Sequence, residues 1–388
     1  MADTLKIDVS LQEGKMADTL KIDVSLRPTL GCDPEFFFKN KGGIIGAEKV
    51  LKKNGLYTYD AAQYSAVDSK IIIDGVQAEL NPRPNTCREV LANEIRACFR
   101  TLDIQLKAKA AEGISCDFSQ NIEISKEELE SLDKENQRFG CAPSKNTGKS
   151  KAPKLSLASV DATKHLKRCA GGHIHIGHND IPQLKNLIMW NPEAMVDVLD
   201  VLVGNTCVLI DRDKGNVERR KLYGRAGEFR LPKHGLEYRT PSNFWLKSYQ
   251  LMSLVFGLAR TAVELIGHPT DGRKNYDLLM SLVDMKDIHK AINKNDYKLA
   301  MANFKKIDSA VFNAITLSDS HWPVRKQNLA RFHQFLDNVY KHGLEFYFNE
   351  EPLNHWISNT NYSAGGFSDW LTNNVVVQKE RVKEQQVS

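Results

Sequence analysis

Five short stretches carry residue types whose spacing could do chemistry together. Asp33-Pro34-Glu35 puts two carboxylates at i and i+2, on one face of a strand. Glu79 stands mid-strand in Val76-Gln77-Ala78-Glu79-Leu80, where an apolar residue would be expected. His173-Ile174-His175 aims two imidazoles the same way, with glycines at 171 and 172 permitting close backbone approach. Glu228-Phe229-Arg230 and Glu237-Tyr238-Arg239 each place a carboxylate and a guanidinium on one strand face. Leu231 to Gly235 between them reads as a turn, so the last two stretches form a hairpin with a floor of two carboxylates and two guanidinium groups. Seven Lys and Arg residues fall between Arg219 and Arg239, against the carboxylates Glu218, Glu228 and Glu237. Such a floor suits a metal-nucleotide site, where carboxylates hold Mg²⁺ and Arg forks hold phosphate oxygens. The plainer reading of the hairpin is a surface laced with cross-strand ion pairs, and that of Asp33 and Glu35 a strand edge.

These residues need strands and supporting helices. Ile71-Ile72-Ile73 reads as a strand turning at Asp74-Gly75 into the Glu79 strand. Lys39 to Asp60 reads as a loop. Thr86 to Ala111 reads as an amphipathic helix with Thr86 and Glu89 as a capping box, the stripe Val90, Leu91, Ile95, Phe99, Leu102 and Leu106, and structural roles for Glu89 and Glu94. Asn191 to Val208 is a second helix, and the chain after Trp245 is mostly helical to about Phe348. Residues 119–154 form a polar insertion with a short acidic helix at Ser125 to Asp133. Asn146 to Ser150 looks like the end of a phosphate-binding loop, but Pro143 stands where its Gly is required, and that reading is rejected.

The chain has 388 residues, enough for one elaborate domain or two. A net charge of +5 permits an anionic substrate and does not argue for nucleic acid. Seven scattered Cys without a C-x-x-C pair fit reduced thiols, and no apolar signal segment is seen, so a cytoplasmic location is expected. Leu251 to Ile266 contains Arg260 and Glu264 and reads as a buried helix, not a membrane span. Met1–Leu11 repeats identically at Met16–Leu26, most simply a duplicated start, with a cloning scar as the near alternative. The expected division is a leader over 1–27, a catalytic domain over 28–350 and a tail over 351–388.

In their order and spacing, D-P-E-F-F, D-G-V-Q-A-E-L-N-P, G-G-H-I-H-I-G, Y-G-R-A-G-E-F-R and E-Y-R-T-P-S-N-F-W resemble the phage-encoded carboxylate–amine ligases, amidoligases of type 2. That family is a branch of the glutamine synthetase and γ-glutamylcysteine synthetase superfamily. The resemblance covers roughly Leu30 to Trp245. It implies an α+β fold: a curved antiparallel sheet of the glutamine synthetase type, helices on its outer face and a helical C-terminal part. It implies ATP and Mg²⁺, with Mn²⁺ an acceptable substitute. By the same resemblance Asp33, Glu35, Glu79, His173 and Glu237 hold metal. Arg230 and Arg239 hold phosphate with Arg225 assisting, His175 faces the substrate, and Glu228 is either a further ligand or the partner that orients Arg230. The implied reaction joins a carboxylate to an amine through an acyl phosphate. The implied host is a phage, the implied compartment its host's cytoplasm, and relatives often assemble as homo-oligomers. Three rival readings remain: a guanidino-kinase-like phosphotransferase, a metal-dependent hydrolase and a non-enzymatic phage protein. The superfamily's carboxylate before the Glu79 strand has no clear match; Asp74 is nearest but wrongly spaced. The substrate pair is not readable.

Overall fold

The computed structural model describes residues 4–8, 19–23, 25–60, 65–139, 144–147, 161–308, 324, 326–358 and 366–377. Parts of both repeat copies and of the 119–154 insertion, and all of the segment after Val377, lie outside them. The fold is α+β, with helices packed around antiparallel sheets.

Two sheets meet where the site lies. In the first, Lys145–Asn146, Glu228–Arg230, Gly235–Tyr238, Ile174–Gly177 and Thr29–Cys32 lie side by side in that order. In the second the order is Gly43–Ile45, Glu35–Asn40, Gln77–Asn81, Ser65–Asp74 and Leu56–Asp60. A single curved sheet was the expectation; the chain instead passes from one sheet to the other at Asp33-Pro34. Proline has no N–H to donate, so pairing with the His strand cannot continue through it. At once Leu80 N donates to Pro34 O (3.0 Å) and Glu35 pairs with Glu79. The stretch 39–60, expected as loop, supplies two strands, because Gly43 and Gly55 at positive φ turn short apolar runs back onto the sheet.

Register sorts the faces. His175 lies opposite Glu237 and Gly31, and Arg230 opposite Glu237. Alternation then turns Ile174, Ile176, Leu236, Tyr238 and Phe229 into the core, where all are at most 1% exposed. Arg88–Ala108 packs behind the second sheet through Phe99, whose ring meets Phe36 at 6.3 Å. Its cap is Cys87 without a side-chain bond, so the expected capping box does not form; Thr86 O instead accepts from Arg260 Nη1 (2.7 Å). Val90, placed in the stripe, is 36% exposed, while Glu94 takes the structural role expected of it, accepting from Ser69 and Arg83. Tyr249–Ile266 is a buried helix, with Arg260 paired to Glu264 at 2.8 Å. Trp356, on Pro352–Ser358, is fully buried against Phe99 and donates to Leu246 O (2.7 Å). Phe367, on Gly366–Asn374, is also buried. Both helices fall in the span expected as a tail. At the other end, Thr4–Asp8 pairs antiparallel with its own duplicate, Thr19–Asp23.

One helical layer clamps the back of the Glu228–Tyr238 hairpin. The helix over Pro192–Ile210 widens to π-type pitch at Asp200–Gly204. Asp200, fully buried, accepts from Tyr238 Oη (2.6 Å) and lies 3.2 Å from His289 Nε2. Burial raises its carboxyl pKa despite both partners. Gly204 lets the Tyr238 ring approach: a Cβ there would stand 2.6 Å from Tyr238 Oη and 2.8 Å from Ile292 Cδ1. Gly204→Ala should therefore lower stability by about 1–3 kcal/mol through overpacking, outweighing the ordinary helical gain of alanine over glycine. Urea unfolding reads this directly; a raised midpoint would mean the contact is soft.

Candidate active site

The face opposite that clamp gathers the charged residues. Asp33 Oδ1 lies 3.1 Å from His173 Nδ1, and its Oδ2 lies 3.1 Å from His175 Nε2. Glu237 Oε1 stands 3.5 Å from His173 Nδ1 and 3.2 Å from Arg239 Nε, and its Oε2 accepts from Arg230 Nε at 2.6 Å. Asp33, His175 and Glu237 offer ligand atoms within 4.8 Å of one another. Glu35, Asp74 and Glu79 form a second such group.

The glycines before the His strand serve His173. A Cβ on Gly171 would stand 2.3 Å from His173 Nε2, and one on Gly172 would stand 2.3 Å from Ser242 O. Only bare backbone fits between that imidazole and the loop after the hairpin. Gly171 N also donates to Glu35 Oε2 (2.6 Å), so the same turn fixes a carboxylate of the second group.

Electrostatics separate the two groups. Burial pushes Asp33 up, but the His175 and His173 imidazoles outweigh it and hold the carboxyl well below the usual range. Burial opposes the charge on His175 too, and Asp33 and Glu237 overcome it, raising its pKa. Burial, then Asp33, Asp74, Glu35 and Glu237, raise Glu79 well above a normal carboxyl, and burial with Glu35 and Asp33 raises Asp74 to about 7. Crowded buried carboxylates of this kind call for a cation.

The residues fit divalent metal on a second count. Asp33 Oδ1, both His173 nitrogens, His175 Nε2, Glu237 Oε1 and Asp74 Oδ2 are buried atoms without a hydrogen bond of good geometry. Natural proteins rarely leave so many buried polar atoms unsatisfied in one place. A set of carboxylates with imidazole suits Mg²⁺ and Mn²⁺.

Each residue singled out from sequence has a definite place. Asp33, His173, His175, Glu237, Arg230 and Arg239 come together directly; Glu35 and Glu79 lie in the neighbouring group. Glu228 does not orient Arg230, which Glu237 holds. Its Oε2 accepts from Gly224 N (2.7 Å), with the Arg239 and Arg219 charges nearby, and burial raises its pKa. The Arg225 guanidinium makes no ion pair among the described residues; its carbonyl accepts from Thr240 Oγ1 (2.9 Å).

Two residues escaped the sequence reading, and a third, Asp74, was set aside there as wrongly spaced. Asp74 joins the second group; the two-residue turn pairs 74 with 77 and 72 with 79, which already sets Asp74 on the face of Glu79. Strand register was the available signal, where linear spacing misled. His234, in the turn, stacks on His175 with ring centroids 5.2 Å apart and shares a hydrogen bond with it at 3.0 Å. Tyr223 Oη meets Glu35 Oε2 at 2.9 Å and Cys169 O at 3.2 Å, and its ring lies under both the Arg219 and Arg239 guanidinium groups, 4.9 and 5.2 Å from the centroid. No spacing rule marks these last two.

Tyr223 thus ties a candidate metal carboxylate to a candidate phosphate-holding arginine. Tyr223→Phe keeps the ring and removes the hydroxyl contact to Glu35. It should raise the Mg²⁺ concentration needed for half-maximal activity several-fold, on the order of 1 kcal/mol, while the melting temperature without metal stays close to wild type. An unchanged Mg²⁺ requirement would make the hydroxyl a bystander.

A family model described as "Phage phiEco32-like COOH.NH2 ligase-type 2" matches residues 146–341, which are 196 of the 388 residues. No curated protein matches the chain. The chain belongs to that ligase family. The matched span holds His173, His175, Tyr223, Glu237 and both arginines; Asp33, Glu35, Asp74 and Glu79 lie before it.

Proposed function

We propose that this member of the phage COOH–NH2 ligase family activates a carboxylate with ATP and Mg²⁺ and passes the acyl group to an amine. The observation that carries this is the meeting of an Asp33, His175 and Glu237 group, held against Arg230 and Arg239, with an all-carboxylate group of Glu35, Asp74 and Glu79. A hydrolase has no need of guanidinium groups on its metal face, whereas phosphoryl transfer does. The glutamine synthetase-type fold belongs to the same proposal, supported by antiparallel strands carrying their charges inward and helices packed behind.

Asp33, His173, His175 and Glu237 would hold one metal and Glu35, Asp74 and Glu79 another. Divalent metal, when bound, supplies neutralising charge to phosphoryl oxygens and Lewis-acid polarisation. Arg239, anchored by Glu237 and Ser144 and stacked on Tyr223, would bring its fixed positive charge to the transferring phosphoryl group. Arg230, a quarter exposed and held by Glu237, reaches from the rim. The substrate carboxylate oxygen attacks the γ-phosphorus and ADP leaves; the amine nitrogen then attacks the acyl carbon and phosphate leaves. Negative charge grows on phosphoryl oxygens in both steps, so fixed cations there lower both barriers. Buried strands hold these groups in place before substrate arrives, and Tyr238 locked on Asp200 stiffens the hairpin from behind.

The test is phosphate release from ATP in the presence of Mg²⁺, with carboxylate and amine libraries, products read by mass. Release that needs both an acid and an amine supports the ligase; release into a stable phosphorylated product does not. Mg²⁺ or Mn²⁺ should also raise the melting temperature, by mass action on the native state. EDTA-treated protein that melts identically with and without either ion would remove the metal assignment.

A further inference from the structure

We propose that the cavity of about 540 Å³ beside His175 receives the acid substrate, and that this acid carries a second anionic group, held by Lys233 and His178. The inference rests on the ligase reading and deepens it.

The cavity has an inner and an outer end. Inside, Asp33, Glu79 and His175 line it, so whatever fills it touches both candidate metal groups. Its size is that of small-molecule sites, roughly 300–1,000 Å³, and far exceeds what ammonia or a bare carboxylate needs. The occupant is an organic molecule with a body beyond its reacting group.

The outer end is rich in donors. Lys233 lines it, is exposed and makes no ion pair among the described residues. Asp180 N donates to His178 Nδ1 (3.0 Å), so the neutral ring carries its proton on Nε2, which is left as its free donor. Asp180 also lines this end, 3.8 Å from His178 Nδ1, but its side chain is 95% exposed, so solvent screens its charge. The carboxylates at the inner end belong to the candidate metal groups. With the inner carboxylates facing the candidate metals and Asp180 screened by solvent, Lys233 and the His178 Nε2 donor favour an anion over an ammonium at the ligand's far end. The turn carrying His178 is held stiffly. Asn179 and Asp180 both adopt left-handed φ, 47° and 55°, two of the three such non-glycine residues among those described. Strained backbone of this sort is commonly kept where a side chain must be aimed.

The test uses three five-carbon acids that differ only at the far end: glutarate, pentanoate and 5-aminopentanoate. ATP, Mg²⁺ and hydroxylamine are supplied; the hydroxylamine nitrogen displaces phosphate from the acyl phosphate and leaves a hydroxamate, read as its coloured complex with added ferric ion. Glutarate should exceed pentanoate by about tenfold in kcat/KM, the size of one lost charged hydrogen bond, and 5-aminopentanoate should be poorer still. Lys233→Glu, at an exposed position that folding tolerates, should invert the order, and His178→Asn should shrink the glutarate preference through KM alone. Saturation-transfer NMR of the same acids on the Mg²⁺-bound protein reads binding without turnover. Hydroxamate formed without charge preference, or a preference indifferent to Lys233→Glu, overturns this inference and leaves the ligase reading standing. No hydroxamate from any acid, with the NMR preference intact and sensitive to Lys233, overturns the ligase reading and leaves the cavity assignment.

Discussion

Arg239→Lys should lower ATP-dependent turnover about 10²–10³-fold, the loss expected when a fixed charge-stabilising donor is removed from a transition state. The guanidinium is fully buried and uses three kinds of contact at once. Nε faces Glu237 Oε1 at 3.2 Å, Nη1 donates to Ser144, and the plane lies over Tyr223. A lysine ammonium is a point charge and cannot reach Glu237 and Ser144 together or stack on the ring. From sequence, folding should survive this exchange nearly intact, because charge and stem length are similar. Burial changes that: lost stacking and one unsatisfied partner should cost about 1–3 kcal/mol. The surface ion-pair alternative, worth about 0–1 kcal/mol, does not apply to a residue with no exposure. The measurement is phosphate release per folded molecule, well below the variant's own melting temperature. Turnover within about threefold of wild type would take Arg239 out of the chemistry.

Much of the site could be read from alternation alone. Period two places Asp33, His175, Arg230, Glu237 and Arg239 on one face of adjacent strands, and their partners Ile174, Leu236 and Tyr238 in the core. That inference needs only strands and a turn, both of which Leu231 to Gly235 advertises. What alternation cannot supply is which strands become neighbours. Asp33 and Glu35 are two residues apart and read as a pair, yet Pro34 sends them to different sheets, Asp33 to the imidazoles and Glu35 to Asp74 and Glu79. Tyr223 and His234 enter through loops, where side-chain direction follows tertiary packing rather than local period. The buried Asp200–Tyr238 contact was hidden for a similar reason: within an apolar helix, one aspartate gives no sign of the π-type turn that aims it. The helical half was legible as helix, with Leu254, Leu258, Ile292 and Phe304 all buried, but not as a clamp on the Glu228–Tyr238 hairpin.

Glu237→Gln tests how metal and phosphate binding are linked, because Glu237 lies between a candidate metal group and the two candidate phosphate-holding arginines. It is 1% exposed and faces His173 on one side and the two arginines on the other. Glutamine keeps the shape and removes the charge. Without it Arg239 stays buried with no carboxylate at its Nε, and Arg230, on the rim, loses its anchor. Removing one partner of a buried pair typically costs about 3–5 kcal/mol; the partial exposure of Arg230 puts the expectation at the low end. Turnover should fall by about 10³-fold or more, since the substitution loosens the metal group and the phosphate-holding forks together. The decisive contrast is with Arg239→Lys, which leaves every candidate ligand in place. In Arg239→Lys protein, Mg²⁺ or Mn²⁺ should still raise the melting temperature. In Glu237→Gln protein that rise should shrink or vanish, because one carboxylate of the Asp33, His175 and Glu237 group is gone. An undiminished metal-induced rise in Glu237→Gln protein would move the metal away from this group, to Glu35, Asp74 and Glu79 alone. Glu237 would then be a brace for the arginines, and its loss would act on kcat with no change in Mg²⁺ requirement.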